Sequence, residues 1–441
     1  MIPHDYNPAL DHARRLADTF LQELHLRRVT PEALPPAPMP PDDVGLDRTF
    51  ALLASEVAPY LSASPGPRYL GFVTGGVTPE ALAADWLASA WDQNLSSRIG
   101  SIAADLEDRT VAAYAGIFGL EPVMHGQFVS GATMANLVGM ATARQWAYRV
   151  HGELPTVFAG SAHSSILKAM AITGIGRNRH VSIATLPGRT CVDTAALRVA
   201  LAQHRGPAIV VASAGEVNTG DFDDLRGLAD ICAAAGAWLH VDGAFGLFAA
   251  FDDDLRSLVA GVERADSVTV DLHKWLNVPY DNALAFTRRP DLQKEVFAAS
   301  SAYLGDDPDP LHYTPENSRR FRALPAWAVL AVRGRAGIGR WVAANCRQAR
   351  ALARGLEGLG LDVLNEVPLN IVAFALRGAG TAARDAFLQR LNGTGEVFMT
   401  PTHLHGRPAI RAAFSNWATA DEDVPRILAA VARSISGDFA G

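Results

Sequence analysis

Two residues able to do chemistry each close a strand-like stretch of this chain. In Ser267-Val268-Thr269-Val270-Asp271-Leu272-His273-Lys274-Trp275, a β-branched run reads as a buried strand that delivers His273 and Lys274 at its end. Thirty-two residues before Lys274, the apolar stretch Ala237 to Val241 ends in Asp242 and runs on through Gly243, Ala244 and Gly246. Two such ends, joined by a crossover of helix length, face one crevice of a parallel sheet. A lysine amine can form a Schiff base, and an acid can keep a ring nitrogen protonated. Pyridoxal phosphate (PLP) needs both groups in order to act as an electron sink. Taken singly, Lys274 reads as a surface lysine and Asp242 as a turn residue; the pairing is what points to the cofactor.

A phosphate needs a seat, and Phe128-Val129-Ser130-Gly131-Ala132-Thr133-Met134-Ala135-Asn136 offers one. A short apolar segment meets small and hydroxylated residues that open a helix, so backbone N–H groups and the helix dipole converge on one point. The same residues would also serve as an ordinary N-cap through Ser130 or Thr133. His163 follows another strand, Thr156 to Ala159, within Ser161-Ala162-His163-Ser164-Ser165. Alone it reads equally well as a satisfied surface or core histidine.

The elements around these residues alternate. Strands are expected at 156–159, 208–212, 237–241, 267–271 and 283–287, with helices at 132–144, 166–172, 225–235 and 255–262 between them. Repeated βα units with apolar strands predict an α/β fold: a mostly parallel central sheet flanked by helices. Before it come an amphipathic helix (8–24), a segment with six prolines (31–41), a helix at 46–61, a Gly- and aromatic-rich loop (67–78), and helices from Pro79 and over 103–118. After it come an aperiodic loop (300–317) and a long helix (325–359) with a break expected near 334–339. Strands at 371–376 and 409–414 with helices at 382–391 and 423–434 complete an α+β cap. The division expected is an N-terminal helical arm (1–77), a large cofactor-binding domain (78–325) and a small C-terminal domain (326–441).

Composition narrows the class. Of 441 residues 49% are hydrophobic and 19% charged, as in soluble globular proteins, and the net charge of −7 without a basic run argues against nucleic acid. Cys191, Cys232 and Cys346 lie far apart without metal-ligand spacing, so a reduced compartment and no metal site are expected. No apolar stretch is long enough to span a membrane, and the N-terminus carries no export or lipidation signal. A cytoplasmic enzyme is the expectation.

Taken together, Ser130–Asn136, Ala162-His163-Ser164-Ser165, His240-Val241-Asp242-Gly243-Ala244, Asp271-Leu272-His273-Lys274-Trp275 and Ser318-Arg319-Arg320-Phe321-Arg322-Ala323-Leu324 resemble, in order, the group II PLP-dependent decarboxylases. That fold-type-I family includes the aromatic-amino-acid, glutamate and histidine decarboxylases, and the resemblance covers roughly residues 50 to 435. It implies Lys274 as the Schiff-base lysine, Asp242 as partner of the ring nitrogen, Ala244 packed beneath the ring and His163 stacked on its face. Ala132 and Thr133 would bind the phosphate, with Asp271 and His273 beside it. A tyrosine of the loop before the Arg-Arg segment would supply the general acid, Tyr303 or Tyr313, with Tyr303 the one assigned.

The resemblance implies decarboxylation of an amino acid to an amine and carbon dioxide, in a homodimer whose N-terminal arm wraps the partner. Transamination, oxidative deamination to an aldehyde and retro-aldol cleavage are the alternatives at the same carbanion. A non-catalytic binding protein on the same fold is an alternative of another class, and the intact Asp242, His163 and Lys274 argue against it. One departure bears on substrate: Gly215-Glu216-Val217 stands where the family commonly has Gly-Thr-Thr. A carboxylate opening into the crevice would need a polar substrate group or an arginine such as Arg319 or Arg320 as partner.

Overall fold

The computed structural model describes residues 6–39, 43–299 and 309–436. Seven strands build the central sheet: β1 His125–Val129, β2 Thr156–Ala159, β3 His180–Ser182, β4 Ala208–Ser213, β5 Trp238–Asp242, β6 Ser267–Asp271 and β7 Ala283–Thr287. Their spatial order is β1-β7-β6-β5-β4-β2-β3. β3, β2, β4, β5 and β6 pair in parallel, and β7 pairs antiparallel with both β6 and β1. The sheet is mostly parallel, and every residue of β5, β6 and β7 is buried, as expected of strands covered on both faces. Register sets Asp242 level with Ser213 of β4 and Thr269 of β6. The parallel strands therefore end along one line, and the loops that follow open on the same side.

Local chemistry explains the helix limits. Thr78 caps helix Pro79–Trp91 by accepting from the Ala81 N–H at 3.3 Å, with Pro79 at the first helical position. Helix Ala103–Phe118 stops at Gly119, whose φ of 76° is left-handed. Asp224 caps helix Leu225–Ala235. The long helix Ala323–Gly358 breaks at Gly334 (φ 60°, ψ 174°), inside the window where a break was expected.

Two expectations are corrected. The helix expected over 255–262 is two 3₁₀ turns, Arg256–Val259 and Val262–Arg264, separated by Gly261 at φ 104°. The helix expected over 46–61 is α-helical only at Gly45–Leu52, then widens to a π turn and tightens to a 3₁₀ turn at Ala58–Tyr60, which contains Pro59. Strand β3 and the helices Thr194–Gln203 and Pro290–Phe297 were not anticipated.

A second sheet, β8 Asp362–Val363, β9 Ile371–Ala375, β10 Thr400–Leu404 and β11 Arg407–Ala413, is antiparallel in the order β10-β11-β9-β8. Its core, with Leu352, Phe374, Phe387, Ile410 and Ile427, is separate from the larger one around the central sheet. Helix Ala323–Gly358 joins them, giving Val329 and Trp341 to the first core and Leu352 and Leu356 to the second. The N-terminal segment grips the second unit: Val29 N–H donates to Gly395 O (2.7 Å), Leu70 N–H to Phe398 O (2.9 Å), and Leu70 O accepts from Ala413 N–H (2.9 Å). Helix Asn7–Gln22 ahead of it buries no residue. Among the described residues no helix is long and apolar enough to cross a membrane, and no cluster of three or more His, Cys, Asp or Glu could hold a metal ion.

Candidate active site

At the carboxyl ends of β4, β5 and β6, Lys274, Asp242, Ala244, His163, Ala132 and Glu216 line one narrow crevice. Lys274 ends the short turn after β6, with its Nζ 5.9 Å from the Phe245 ring centroid. The lysine's own backbone is held from behind by the loop before Pro79. A Cβ on Gly75 would lie 1.8 Å from the Lys274 carbonyl oxygen, so only glycine fits that contact.

Asp242 is held by two N–H groups: Asn136 Nδ2 donates to Oδ2 (2.9 Å) and the Ala244 backbone to Oδ1 (3.2 Å). Asn136 is fully buried and uses its whole amide. It also donates to Ser165 Oγ (2.9 Å) and accepts from Thr269 Oγ1 (2.7 Å) and at His240 Nε2 (2.9 Å). His163 meets Ser165 Oγ at 2.7 Å and the Ser165 backbone N–H at 3.2 Å, both through Nδ1. Burial lowers the His163 pKa; the Asp242 charge opposes that, and Lys274 and Arg411 add to it. His240 is pushed down to about 4 by burial, so it is neutral at physiological pH.

The expected phosphate seat forms at the start of helix Ala132–His151. Gly131 takes the N-cap position with no side-chain cap, so neither Ser130 nor Thr133 closes the helix end. Asp271 Oδ2 accepts from the Ala132 N–H (2.9 Å), and His273 Nε2 lies 3.2 Å from Asp271 Oδ1. Thr133 is exposed on the first turn. Thr133, Asp271 and His273 thus gather at the turn beside the crevice and do not form its wall. Burial raises the Asp271 pKa, against the charges of His273 and Lys274, and burial lowers that of His273. The helix start at Ala132 and Thr133, with Lys274 and Asp242 in the crevice, fits what a phosphorylated pyridine aldehyde needs.

One expectation does not hold. Arg319 pairs with buried Glu107 at 2.6 Å and Arg320 with Asp85 at 2.6 Å, so neither meets Glu216. Glu216, 4% exposed, turns into its own loop and accepts from Asn218 N (2.9 Å), Asn218 Nδ2 (2.9 Å), Thr219 N (3.0 Å) and Thr219 Oγ1 (3.0 Å). Burial still raises its pKa against those donors. Tyr313 packs its ring 4.6 Å from that of His125 and does not line the crevice. Tyr303 lies outside the described residues.

Sequence reasoning missed a second cation close to the site. Arg411 of β11 is buried, donates through Nη1 to Val217 O (2.8 Å), and its Nε has no partner among the described residues. Burial lowers its pKa, partly offset by Glu216. Thr402 of β10 donates to Asn218 Oδ1 (2.6 Å), so the small sheet clasps the loop after β4. An outer pocket lined by Arg189, Thr185, Asn218, His403 and His405 continues outward from His163.

A family model described as the pyridoxal-dependent decarboxylase conserved domain matches residues 25–377. The chain belongs to the pyridoxal-dependent decarboxylases. It is therefore a PLP-dependent carboxy-lyase of amino acids. An aromatic-L-amino-acid decarboxylase of Bacillus atrophaeus is 28% identical over 383 residues, 82% of this chain and 80% of that one. An L-2,4-diaminobutyrate decarboxylase of Rhizobium meliloti is 28% identical over 412 residues, 89% and 83% of the two chains. The crystal structure of TDC from Oryza sativa with PLP and tryptamine superposes with a TM-score of 0.91 at 22% identity, covering 100% of both chains, which shows the shared fold-type-I architecture.

Proposed function

We propose that this decarboxylase releases carbon dioxide from an amino acid held in the crevice at the ends of β4 to β6, with Lys274 as the residue that carries the cofactor. The observation that carries this reading is the convergence of Lys274, Asp242, Ala244 and His163 on one small cavity. Bound PLP supplies the electron sink for the bond broken at Cα. Asp242, aimed by Asn136 and the Ala244 N–H, keeps a proton on the ring nitrogen. Ala244 leaves room beneath the ring, and His163 covers its face. The turn at Ala132 and Thr133, braced by Asp271 and His273, receives the phosphate. Arg411, whose charge reaches His163 and Glu216 from the small sheet, is suited to a carboxylate and would hold the substrate so that the scissile bond is oriented. The general acid is assigned to Tyr303.

The amphipathic helix Asn7–Gln22 and the apolar groove beside it, lined by Leu21, Leu24, Trp86 and Trp417, support a homodimer in which a second copy covers them. The division into an arm (1–77), a cofactor domain (78–325) and a small domain (326–441) goes with that assembly. Three free, buried cysteines support a cytoplasmic location.

Borohydride reduction of the PLP-loaded protein, followed by peptide mapping, should place the cofactor on Lys274. Lys274→Ala should hold PLP loosely and lose turnover by about 10³-fold or more. A panel of amino acids scored for carbon dioxide, ammonia and hydrogen peroxide then separates decarboxylation from the other outcomes. Near-normal turnover in Lys274→Ala would refute the site.

A further inference from the structure

The polar groups beneath the crevice form one hydrogen-bonded chain, and its direction can be worked out from groups that can only donate or only accept. As a carboxylate, Asp242 only accepts, so the Asn136 atom 2.9 Å from its Oδ2 is the amide nitrogen. The other amide atom is then the oxygen, which only accepts. His240 must therefore donate to it from Nε2. Being neutral, His240 has a bare Nδ1, and Ser267 Oγ–H donates to it across 2.8 Å while accepting from the Trp238 indole N–H at 2.9 Å. Toward the crevice, the second Asn136 N–H donates to Ser165 Oγ, leaving that hydroxyl to donate to His163 Nδ1 at 2.7 Å. An independent donor confirms the direction, because the Ser165 backbone N–H also points at Nδ1, 3.2 Å away. A proton on Nδ1 would face that N–H.

We infer that Asn136 is a positioning residue that fixes two active-site groups at once: it aims the Asp242 carboxylate and, through Ser165, locks His163 in the tautomer that carries its proton on Nε2. His163 then presents an N–H toward its ligand, a group suited to a carboxylate or phosphate oxygen. It cannot act as a base at that nitrogen, and protonating it at Nδ1 would disrupt both contacts with Ser165. The arrangement is deep and rigid. Asn136 and His240 are 0% exposed, and a Cβ on Gly139 would lie 2.7 Å from His240 Cε1, so the helix needs glycine there to admit the ring. The geometry stands on its own, whereas its meaning for catalysis rests on the proposed roles of Asp242 and His163.

The test reads the proton directly. In the protein stripped of cofactor, with ring-¹⁵N-labelled histidine, long-range ¹H–¹⁵N correlations report which nitrogen of each ring is protonated. The chain has 13 histidines, so His163 and His240 are assigned by the signals lost in His163→Gln and His240→Gln. Both should show the Nε2–H pattern between pH 6.5 and 8, with Asp242, Lys274 and Arg411 the charges that face His163. Asn136→Asp removes both amide donors and should raise the Nδ1–H share of His163 at least tenfold. Ser165→Ala removes the hydroxyl donor alone and should shift the Nδ1 signal in the same direction by less. Wild-type His163 protonated on Nδ1, or exchanging evenly between tautomers, would overturn the inference. So would an unchanged His163 pattern in whichever of the two variants folds. Because the cofactor is absent, failure here leaves the attachment at Lys274 standing, and failure of that attachment leaves this result standing.

Discussion

The floor and the rim of the crevice are built on opposite plans. On the floor, Asn136, Asp242, Ser165, His240, Thr269 and Ser267 are buried and hydrogen-bonded to one another within 2.7 to 2.9 Å, on two strands of the central sheet and two helices packed on it. The rim is assembled from a loop and the small antiparallel sheet, and it keeps something in reserve: His403 and His405 stay exposed. A saturated network holds its members in one geometry and leaves little for a ligand to claim. A rim with unclaimed donors is where a substrate can add bonds. On the proposed reading, bond-breaking chemistry belongs to the floor and choice of amino acid to the rim.

The sharpest break of that contrast is on the floor. Asp242→Asn keeps the shape but removes the charge proposed to face the ring nitrogen, and kcat should fall by about 10²–10³-fold with PLP still bound. Steady-state kinetics and the visible cofactor band check both halves. If KM moves instead of kcat, the division between floor and rim is wrong.

Acid should find the floor next. His240 has a folded pKa of about 4, below the ordinary histidine value of 6.5, so the unfolded chain binds its proton first as pH falls. The stability this group contributes is complete above about pH 6.5 and is lost as pH falls toward 4, by roughly 3 kcal/mol in all. Asp223, pushed up to about 6 by burial, runs the other way and loses stability as pH rises through the same range. Denaturant melts of wild type and His240→Gln between pH 4 and 7 isolate the histidine: the variant should lack that acid-side loss. Parallel curves would show that His240 titrates normally.

Rim changes should be smaller and of another kind. Arg411→Gln should raise KM for the amino acid by about 10–100-fold, in line with loss of a charge-assisted bond of 1.5–3 kcal/mol, and should lower kcat less. Glu216→Gln puts an NH₂ against donors from Asn218 and Thr219, which should cost about 1–2 kcal/mol of stability by thermal melt, with a modest change in substrate preference. Unaltered stability would mean those four bonds are replaced by water.

Much of the floor was legible in the sequence because its chemistry sits at strand ends. Asp242 and Lys274 announce themselves by following apolar β-branched runs, and Ser130–Asn136 by small residues opening a helix. Helices 103–118 and 225–235 were placed to the residue because Gly119 and Gly236 end them. The period of Leu255, Leu258, Val259 and Val262 misled, since Gly261 at φ 104° divides a segment too short to close an α-turn on either side. Arg411 left no local signal: it is one of two arginines in a seven-residue strand, and only the docking of the small sheet brings it to Val217. Asn136 was quoted within a motif, yet its four partners come from positions 165, 240, 242 and 269, and no spacing along the chain reveals that they meet.

The seat of Lys274 has a consequence in time. Gly75 presses on the lysine's carbonyl, Gly76 N–H donates to Asn277 Oδ1 at 2.6 Å, and that same oxygen accepts from Trp417 N–H at 3.1 Å. Asn277 Nδ2 also donates to Ser415 O, and Ser415 Oγ to Thr74 O. Three stretches of chain, near 75, 275 and 416, thus close on one another, and the last follows Lys274 by 142 residues. At 5–20 residues per second a ribosome takes roughly seven to thirty seconds to make that remainder. Through that interval the nascent chain already carries its reactive lysine, but the stretch that completes the seat has not been made. Competence for the cofactor should therefore arrive late in synthesis and all at once, and chains released before residue 415 should emerge without it.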